Sequence, residues 1–174
     1  MRYNAVMECD VVNAIGISCS IFFQGCNHRC KGCFNPETWD FEGGKEFTEE
    51  AKKRFIESCS KSYITSIALL GGDPLQQPID ELKEFIEEIR NLKKPIIVWT
   101  GYRFYDIIHN EELNSILPYI DYLIDGEYEE SLRDTTLKLR GSRNQSIWKR
   151  EGEKWVNTTS SKRDGEEYIY QEVV

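Results

Sequence analysis

Four short apolar runs recur along the chain, and each one ends at a glycine or another turn-forming residue. The first, "GISCSIFFQG" at 16–25, alternates and is rich in β-forming residues, so it predicts a strand. Near-continuous apolar runs predict three more strands, buried on both faces, at 64–70, 95–100 and 121–126.

Helical patterns lie between the predicted strands. Thr48 is a candidate N-cap for the segment "FTEEAKKRFIESCSK", and Pro78 opens a second helix whose apolar residues form one stripe. A third helical segment, "RFYDIIHNEELNSILPYI", is predicted to break near Asn110. Strands that alternate with helices indicate βαβ units, and therefore an α/β fold with a mostly parallel sheet in a single domain.

The alternating pattern fades beyond Arg140. The stretch "SIWKREGEKWV" predicts a hairpin that turns at Glu151 and Gly152, and the polar stretch "NTTSSKRDGEE" predicts an exposed segment. We therefore divide the chain into a domain at 1–147 and a C-terminal extension of unknown role at 148–174.

Each predicted strand leads into a segment that could take part in a site. A loop with three cysteines follows the first strand, and the stretches "GGDP", "TGY" and "DGEY" follow the other three. In parallel α/β sheets, ligands gather at the carboxyl ends of the strands. We therefore expect these four segments to meet at one rim of the sheet.

The composition of the 174-residue chain limits the classes of function. Its formal net charge of −8 argues against binding nucleic acid through the phosphates. No apolar run is long enough to cross a bilayer, and the start of the sequence lacks the apolar segment of a secretory signal. We therefore expect a cytoplasmic protein that binds neither nucleic acid nor a membrane.

The most specific feature is the group Cys26, Cys30 and Cys33, spaced as C-x3-C-x2-C. A structural zinc site needs a fourth ligand, and His28 lies in a tight loop between two of the cysteines, where inward pointing is awkward. A [4Fe–4S] cluster fits the set better, because three thiolates on one loop leave one iron open. An open coordination position is typical of a catalytic metal and provides a place for a substrate.

The other three cysteines, Cys9, Cys19 and Cys59, are isolated in the sequence. A total of six would permit three disulfides in a secreted protein, but the clustering of three in one loop favours a cytosolic metal or redox protein. We expect each isolated cysteine to be a reduced, buried thiol.

The C-x3-C-x2-C spacing resembles the signature of the radical S-adenosylmethionine (SAM) family. The resemblance implies that the three cysteines hold one [4Fe–4S] cluster and that SAM chelates its open iron. In that family the reduced cluster passes one electron to the sulfonium, and the resulting 5′-deoxyadenosyl radical abstracts a hydrogen atom. The resemblance also implies a partial (β/α) barrel of the radical SAM type over 1–147, with no catalytic residue beyond the cluster ligands.

The stretch "GGDP" resembles the GGE or GGD turn of the same family, in which backbone groups and the acidic side chain receive the methionine ammonium of SAM. Glycine permits the close backbone approach that this contact needs. Many members carry an aromatic residue just before the third cysteine, whereas here that position is Gly32. The SAM-binding residues that the resemblance implies are Gly32, Cys33, Phe34, Gly71, Gly72 and Asp73.

A longer resemblance covers roughly residues 10–147. Its segments are "DVVNAIGISCSIFFQGCNHRCKGCFNPETW", "LLGGDPLQQP", "IIVWTGY", "YLIDGEY" and "LRGSRNQ". Together they resemble the glycyl-radical activase branch, and within it the activating proteins of anaerobic ribonucleoside-triphosphate reductase. This implies a chain that generates a glycyl radical on the large subunit of such a reductase, with electrons from a flavodoxin or ferredoxin.

Three alternatives remain open at this point. The chain could activate another glycyl-radical enzyme, such as pyruvate formate-lyase, although "RGSRNQ" argues against this. It could be a non-enzymatic iron–sulfur electron carrier, which should have four cysteine ligands. It could also be a zinc-binding interaction module.

Several polar residues near the predicted rim have two interpretations each. Thr100 and Tyr102 could reach the ribose of SAM or only line the rim, and Asp125 could bind ligand hydroxyls or form a turn with Gly126. A polar cluster could bind the partner protein or satisfy backbone groups at the open edge of the barrel. Its members are Arg140, Ser142, Asn144 and Gln145.

Overall fold

The chain folds around one eight-stranded sheet. The computed structural model describes residues 1–13, 15–163 and 166–169. The strands of this sheet are β1 (Arg2–Asp10), β2 (Ser18–Phe23), β3 (Lys45–Glu46), β4 (Ser66–Gly71), β5 (Ile96–Trp99), β6 (Tyr122–Asp125), β7 (Ser146–Glu151) and β8 (Lys154–Asn157). Their order across the sheet is β3-β1-β2-β4-β5-β6-β7-β8.

The centre of the sheet is parallel and its two sides are antiparallel. The four apolar runs of the sequence form β2, β4, β5 and β6, which pair with one another in parallel. The pairings outside this centre are antiparallel. The expectation of a mostly parallel sheet therefore describes only the four central strands. The turn between β7 and β8 is too short for parallel pairing, so these two strands are antiparallel.

Helices connect the central strands, as the sequence predicts. They are α1 (Glu49–Ser60), α2 (Ile79–Arg90), α3 (Phe104–Ile108) and α4 (Glu111–Asn114). The Thr48 hydroxyl accepts a hydrogen bond from the Ala51 N–H at 3.2 Å, which confirms the predicted cap of α1. The predicted break near Asn110 is also confirmed, because the Asn110 side chain caps α4 by accepting from the Leu113 N–H at 3.0 Å.

The sequence prediction does not include β1. Most of its residues are exposed or half-buried, so no apolar run marks it. Pairing with the buried strand β2 on one side and with β3 on the other stabilises it. Cys9 lies on β1 and is exposed, so the expectation that it is buried is wrong. The reason is that β1 lies near the edge of the sheet, where the side chains around Cys9 face solvent.

The C-terminal hairpin is part of the sheet. The turn predicted at Glu151 and Gly152 joins β7 to β8, and β7 pairs with β6. The boundary drawn between residues 147 and 148 therefore falls inside β7. Two further strands, β9 (Ser160–Arg163) and β10 (Glu166–Ile169), pair with each other in a separate sheet. The remainder of the predicted extension, at 164–165 and 170–174, lies outside the described residues.

The core lies between the central strands and the helices. Phe85 of α2 is fully buried, and its ring centroid lies 5.0 Å from that of Phe47 and 5.8 Å from that of Phe55. Cys19 and Cys59 are buried here as free thiols, as expected. Among the described residues, no helix is both long enough and apolar enough to cross a bilayer.

Candidate metal centre and ligand cavity

One cavity of about 630 Å³ opens at the carboxyl ends of the central strands. All four segments that the sequence places at this rim contribute to its lining. Their lining residues include Cys26, Cys30, Cys33, Gly71, Gly72, Thr100, Gly101, Gly126 and Tyr128. The parallel direction of β2, β4, β5 and β6 brings these segments together.

The cysteine loop follows β2 directly and presents three free thiols to the cavity. The Cys33 N–H donates to the Cys30 carbonyl at 3.1 Å, and the Cys26 N–H donates to the Trp39 carbonyl at 3.2 Å. Gly32 has φ of +75°, a conformation that favours glycine and lets the loop turn back toward Cys33. These backbone contacts fix the directions in which the three cysteine side chains project from the loop.

The three thiols could hold an iron–sulfur cluster. A cluster offers a separate iron to each thiolate, so its ligands need only face a common space. Three free cysteines that line one cavity meet that condition.

Burial shifts the acidity of two of these thiols. It raises the pKa of Cys26 to about 11, with a smaller contribution from the nearby charge of Asp73. Burial also raises the pKa of Cys30. Both groups are therefore protonated thiols at neutral pH when no metal is present. Since iron binds the thiolate, loading the site displaces these protons.

The Gly71–Asp73 turn packs directly against the end of β2. The Gly72 N–H donates to the Phe23 carbonyl at 2.8 Å, and the Asp73 N–H donates to the Gly25 carbonyl at 2.9 Å. A side chain at Gly72 would bring its Cβ to 2.5 Å from the Gly25 oxygen. The glycine is therefore required for contact between the turn and the start of the cysteine loop.

Asp73, the last residue of this turn, is fully buried. Its Oδ2 accepts from the Thr100 hydroxyl and the Gly101 N–H, each at 3.0 Å, and its Oδ1 accepts from the Leu75 N–H at 2.9 Å. The His28 Nε2 lies 2.8 Å from the same Oδ2. The predicted contact between Asp73 and a ligand ammonium stays a prediction, since the carboxylate here is occupied by groups of the chain itself.

His28 bridges two carboxylates. Besides the Asp73 contact, its Nδ1 lies 3.2 Å from Oε1 of Glu127, which follows β6. Burial acts to lower the pKa of His28, but the hydrogen bonds and charges of Asp73 and Glu127 outweigh it and raise the pKa above its ordinary value. From the sequence we interpret His28 as a loop residue, and the residue spacing around it does not indicate a contact with Asp73.

Thr100, Tyr102 and Asp125, for which the sequence leaves two interpretations each, make different contacts in the structure. Thr100 is buried and lines the cavity, but its hydroxyl donates to Asp73. The ring of Tyr102 packs edge-on against His28 at 4.9 Å between centroids. The buried Asp125 carboxylate accepts from the N–H groups of Phe104 at 2.7 Å and Ser146 at 3.0 Å. Burial raises the pKa of Asp125, and these two contacts oppose the shift.

The polar cluster of the "RGSRNQ" stretch organises its own loop. The Gln145 side chain accepts from the Gly141 N–H at 2.8 Å and donates to the Gly126 carbonyl at 2.9 Å. Ser142, which is fully buried, accepts from the Glu129 N–H through its hydroxyl. Arg140 donates to the Gln145 carbonyl, and Asn144 to the Glu127 carbonyl. These contacts match the interpretation that the cluster satisfies backbone groups, and contact with a partner stays a prediction.

An aromatic side chain stands at the mouth of the cavity. Phe34 is 61% exposed although it lines the cavity, and it packs edge-on against Tyr128 at 5.4 Å between centroids. The Arg133 guanidinium lies 5.4 Å from the Phe34 ring centroid. The sequence analysis names Tyr128 only as part of "DGEY" and does not identify Arg133 as a site residue. The reason is that these contacts join segments about 100 positions apart.

Comparison with known proteins agrees with this site. A family model described as "4Fe-4S single cluster domain" matches residues 12–148, which include all three cavity cysteines. A protein of Enterobacteria phage T4 is 41% identical over 152 residues, which cover 85% of this chain and 94% of that protein. A protein of Pasteurella multocida is 35% identical over 154 residues, with coverage of 86% and 98%.

A third relative, from Escherichia coli K12, is 34% identical over 152 residues, which cover 84% of this chain and 97% of that protein. Each of the three relatives is named anaerobic ribonucleoside-triphosphate reductase-activating protein. The family model matches most of the chain, the relatives are similar over most of their length, and the three cysteines line one cavity. The chain therefore belongs to the family of anaerobic ribonucleoside-triphosphate reductase-activating proteins, with a 4Fe-4S single cluster domain.

Proposed function

We propose that this chain is a radical SAM activase that generates a glycyl radical on an anaerobic ribonucleoside-triphosphate reductase. One observation carries the proposal: the three cysteines and the Gly71–Gly72 turn line the same cavity at the ends of parallel strands. The names of the relatives support the choice of reductase as the protein that is activated.

Cys26, Cys30 and Cys33 are the residues that would hold the cluster. The bound cluster and SAM would supply the radical chemistry by which a hydrogen atom is removed from a glycine Cα of the reductase. The protein positions the reacting groups, since its loop directs three thiols into the cavity, and no fourth cysteine lines that cavity among the described residues. An electron carrier with a closed cluster would need that fourth ligand.

SAM would lie between the cysteine loop and the Gly71–Asp73 turn. Gly71 and Gly72 expose backbone to the cavity, and Cys33 and Phe34 line it on the loop side, whereas Gly32 is not among the lining residues. We propose that the four parallel strands are a shortened barrel of the radical SAM type, with its ligand at the usual rim. The cavity volume of about 630 Å³ falls in the range of sites for a ligand of this size.

The substrate would be a protein because the sheet is not closed into a full barrel, with β3 and β8 at its two edges. A reactive radical must be kept from water, and a glycine-bearing segment of the reductase would close the cavity near Phe34. A low-potential donor, a flavodoxin or ferredoxin, would supply the electron in the cytoplasm.

Anaerobic reconstitution tests this proposal. We expect about four irons per chain, the content of one such cluster, and reductive cleavage of SAM to methionine and 5′-deoxyadenosine. Cys30→Ala should remove both iron binding and SAM cleavage, because it removes a cluster ligand. Cys9→Ala is the matched control, since Cys9 is exposed on β1, and it should retain both. Stoichiometric zinc without iron, or iron without SAM cleavage, would contradict the proposal.

A further inference from the structure

The His28–Asp73 contact joins the two sides of the cavity. His28 lies in the cysteine loop between Cys26 and Cys30, whereas Asp73 ends the turn after β4. The two side chains meet at 2.8 Å, and Asp73 is fully buried. This is a contact between side chains, in addition to the backbone contacts that hold the turn against β2.

Groups at the end of β5 hold the Asp73 carboxylate in place. The Thr100 hydroxyl and the Gly101 N–H, both at the end of β5, donate to the oxygen that faces His28. The Leu75 N–H donates to the other oxygen. A carboxylate held by these three donors has little freedom to follow the cysteine loop, so it provides a rigid point to which His28 binds.

The ring of His28 also has a close steric neighbour. A Cβ added at Gly101 would lie 2.6 Å from the His28 Nε2. His28 therefore fills the space above Gly101, and only glycine at that position lets the ring reach Asp73. On its other side, His28 Nδ1 contacts Glu127, a side chain that is 59% exposed. That second contact is screened by solvent and is expected to be the weaker one.

We infer that His28 is a positioning residue, which holds the cysteine loop at a fixed spacing from the Gly71–Asp73 turn through its contact with Asp73. The inference rests on the proposed function, in which the loop carries the cluster and the turn receives SAM. His28 ligates nothing in this role. It acts through the two segments that it joins.

Two amide substitutions separate the contacts of His28. In His28→Gln the amide nitrogen reaches about as far as Nε2, so it can still donate to Asp73. In His28→Asn the amide nitrogen reaches only about as far as Nδ1, so it can still donate to Glu127 but not to Asp73. Glu127→Gln is the control, since it retains an oxygen for Nδ1 and leaves the Asp73 contact intact.

The readouts are the rate at which a chelator removes iron and the dissociation constant of SAM, both measured on the reconstituted full chain. We expect His28→Asn to bind SAM about tenfold more weakly than wild type, as for loss of one hydrogen bond to a charged group. It should also release iron several-fold faster. His28→Gln and Glu127→Gln should stay within about twofold of wild type in both. Equal values for His28→Asn and wild type, or equal losses in His28→Asn and His28→Gln, would overturn the inference.

Gly101→Ala tests the same contact without removing a polar group. The added methyl group displaces the His28 ring, so this variant should reproduce the faster iron release and weaker SAM binding of His28→Asn. Wild-type behaviour of Gly101→Ala would count against the inference. Wild-type protein that holds iron but binds no SAM would instead refute the proposed function, and the iron-release rates alone would then decide the role of His28.

Discussion

The buried Asp73 carboxylate accepts hydrogen bonds from two backbone N–H groups and one hydroxyl, and it also contacts His28. A buried donor that loses its acceptor costs about 1–3 kcal/mol. Asp73→Ala should therefore lower the free energy of unfolding by about 3 kcal/mol and the thermal midpoint of the cluster-loaded protein by about 10 °C. Asp73→Asn, which retains one acceptor oxygen, should lose less.

The control for this prediction is Asp80→Ala, since Asp80 is an exposed residue in the first turn of α2. It should cost well under about 1 kcal/mol, because only an interaction with the helix dipole is lost. Equal midpoints for Asp73→Ala and Asp80→Ala would show that the Asp73 network contributes little to stability.

Asp73→Ala also tests whether the turn serves SAM. Iron content should remain at about four per chain, because the cluster ligands are intact, while SAM should bind more weakly. Equilibrium binding of SAM to the reconstituted variant measures this. Unchanged affinity would leave the Gly71–Asp73 turn with a structural role only.

At the residue scale, the sequence predicts groups whose partners are local. Cys26, Cys30 and Cys33 share one loop, so their spacing alone indicates a common cavity. The contact of His28 with Asp73 joins positions 45 residues apart and follows only from the packing of the loop against the turn. The exposure of Cys9 likewise depends on which strand lies at the edge of the sheet.

At the element scale, the hairpin of β7 and β8 completes the core. Trp148 stacks on Phe104 at 4.1 Å between ring centroids, and Trp155 packs against the same ring at 5.7 Å. Both tryptophans are 6% exposed. The hairpin therefore covers α3, and the fold of the domain depends on residues beyond 147.

Trp155→Ala should test this dependence. Truncating a large buried aromatic residue typically costs about 3–5 kcal/mol, so the thermal midpoint should fall by roughly 10 °C or more. Lys154→Ala, on the exposed neighbouring position of β8, should change it by no more than about 2 °C. A midpoint for Trp155→Ala equal to that of Lys154→Ala would mean that the domain is stable without the hairpin.

Elements with a strong hydrophobic pattern are predicted well from the sequence, and those without one are not. β4 is a continuous apolar run whose residues are nearly all buried, and α2 shows a clear apolar stripe. β1 lacks such a run, and its pairing with β2 decides its structure. The mixed direction of the sheet depends on the edge strands, which local periodicity does not reveal.

At the scale of the whole molecule, one cavity unites residues from Val12 to Gln145. It lies at the rim where four parallel strands end, and the exposed ring of Phe34 stands at its mouth. A site of this kind is incomplete for radical chemistry until another surface excludes water. The proposed activity therefore requires that the radical be stored on a partner protein and not on this chain.

The measurement that tests this claim most directly is electron paramagnetic resonance of the anaerobic reductase after incubation with the reconstituted chain, SAM and a reductant. The account predicts a glycyl doublet on the reductase, absent when Cys30→Ala replaces the wild-type chain or when the radical-bearing glycine of the reductase is changed to alanine. Absence of the doublet with the wild-type proteins, together with SAM-dependent conversion of a small molecule, would contradict the account.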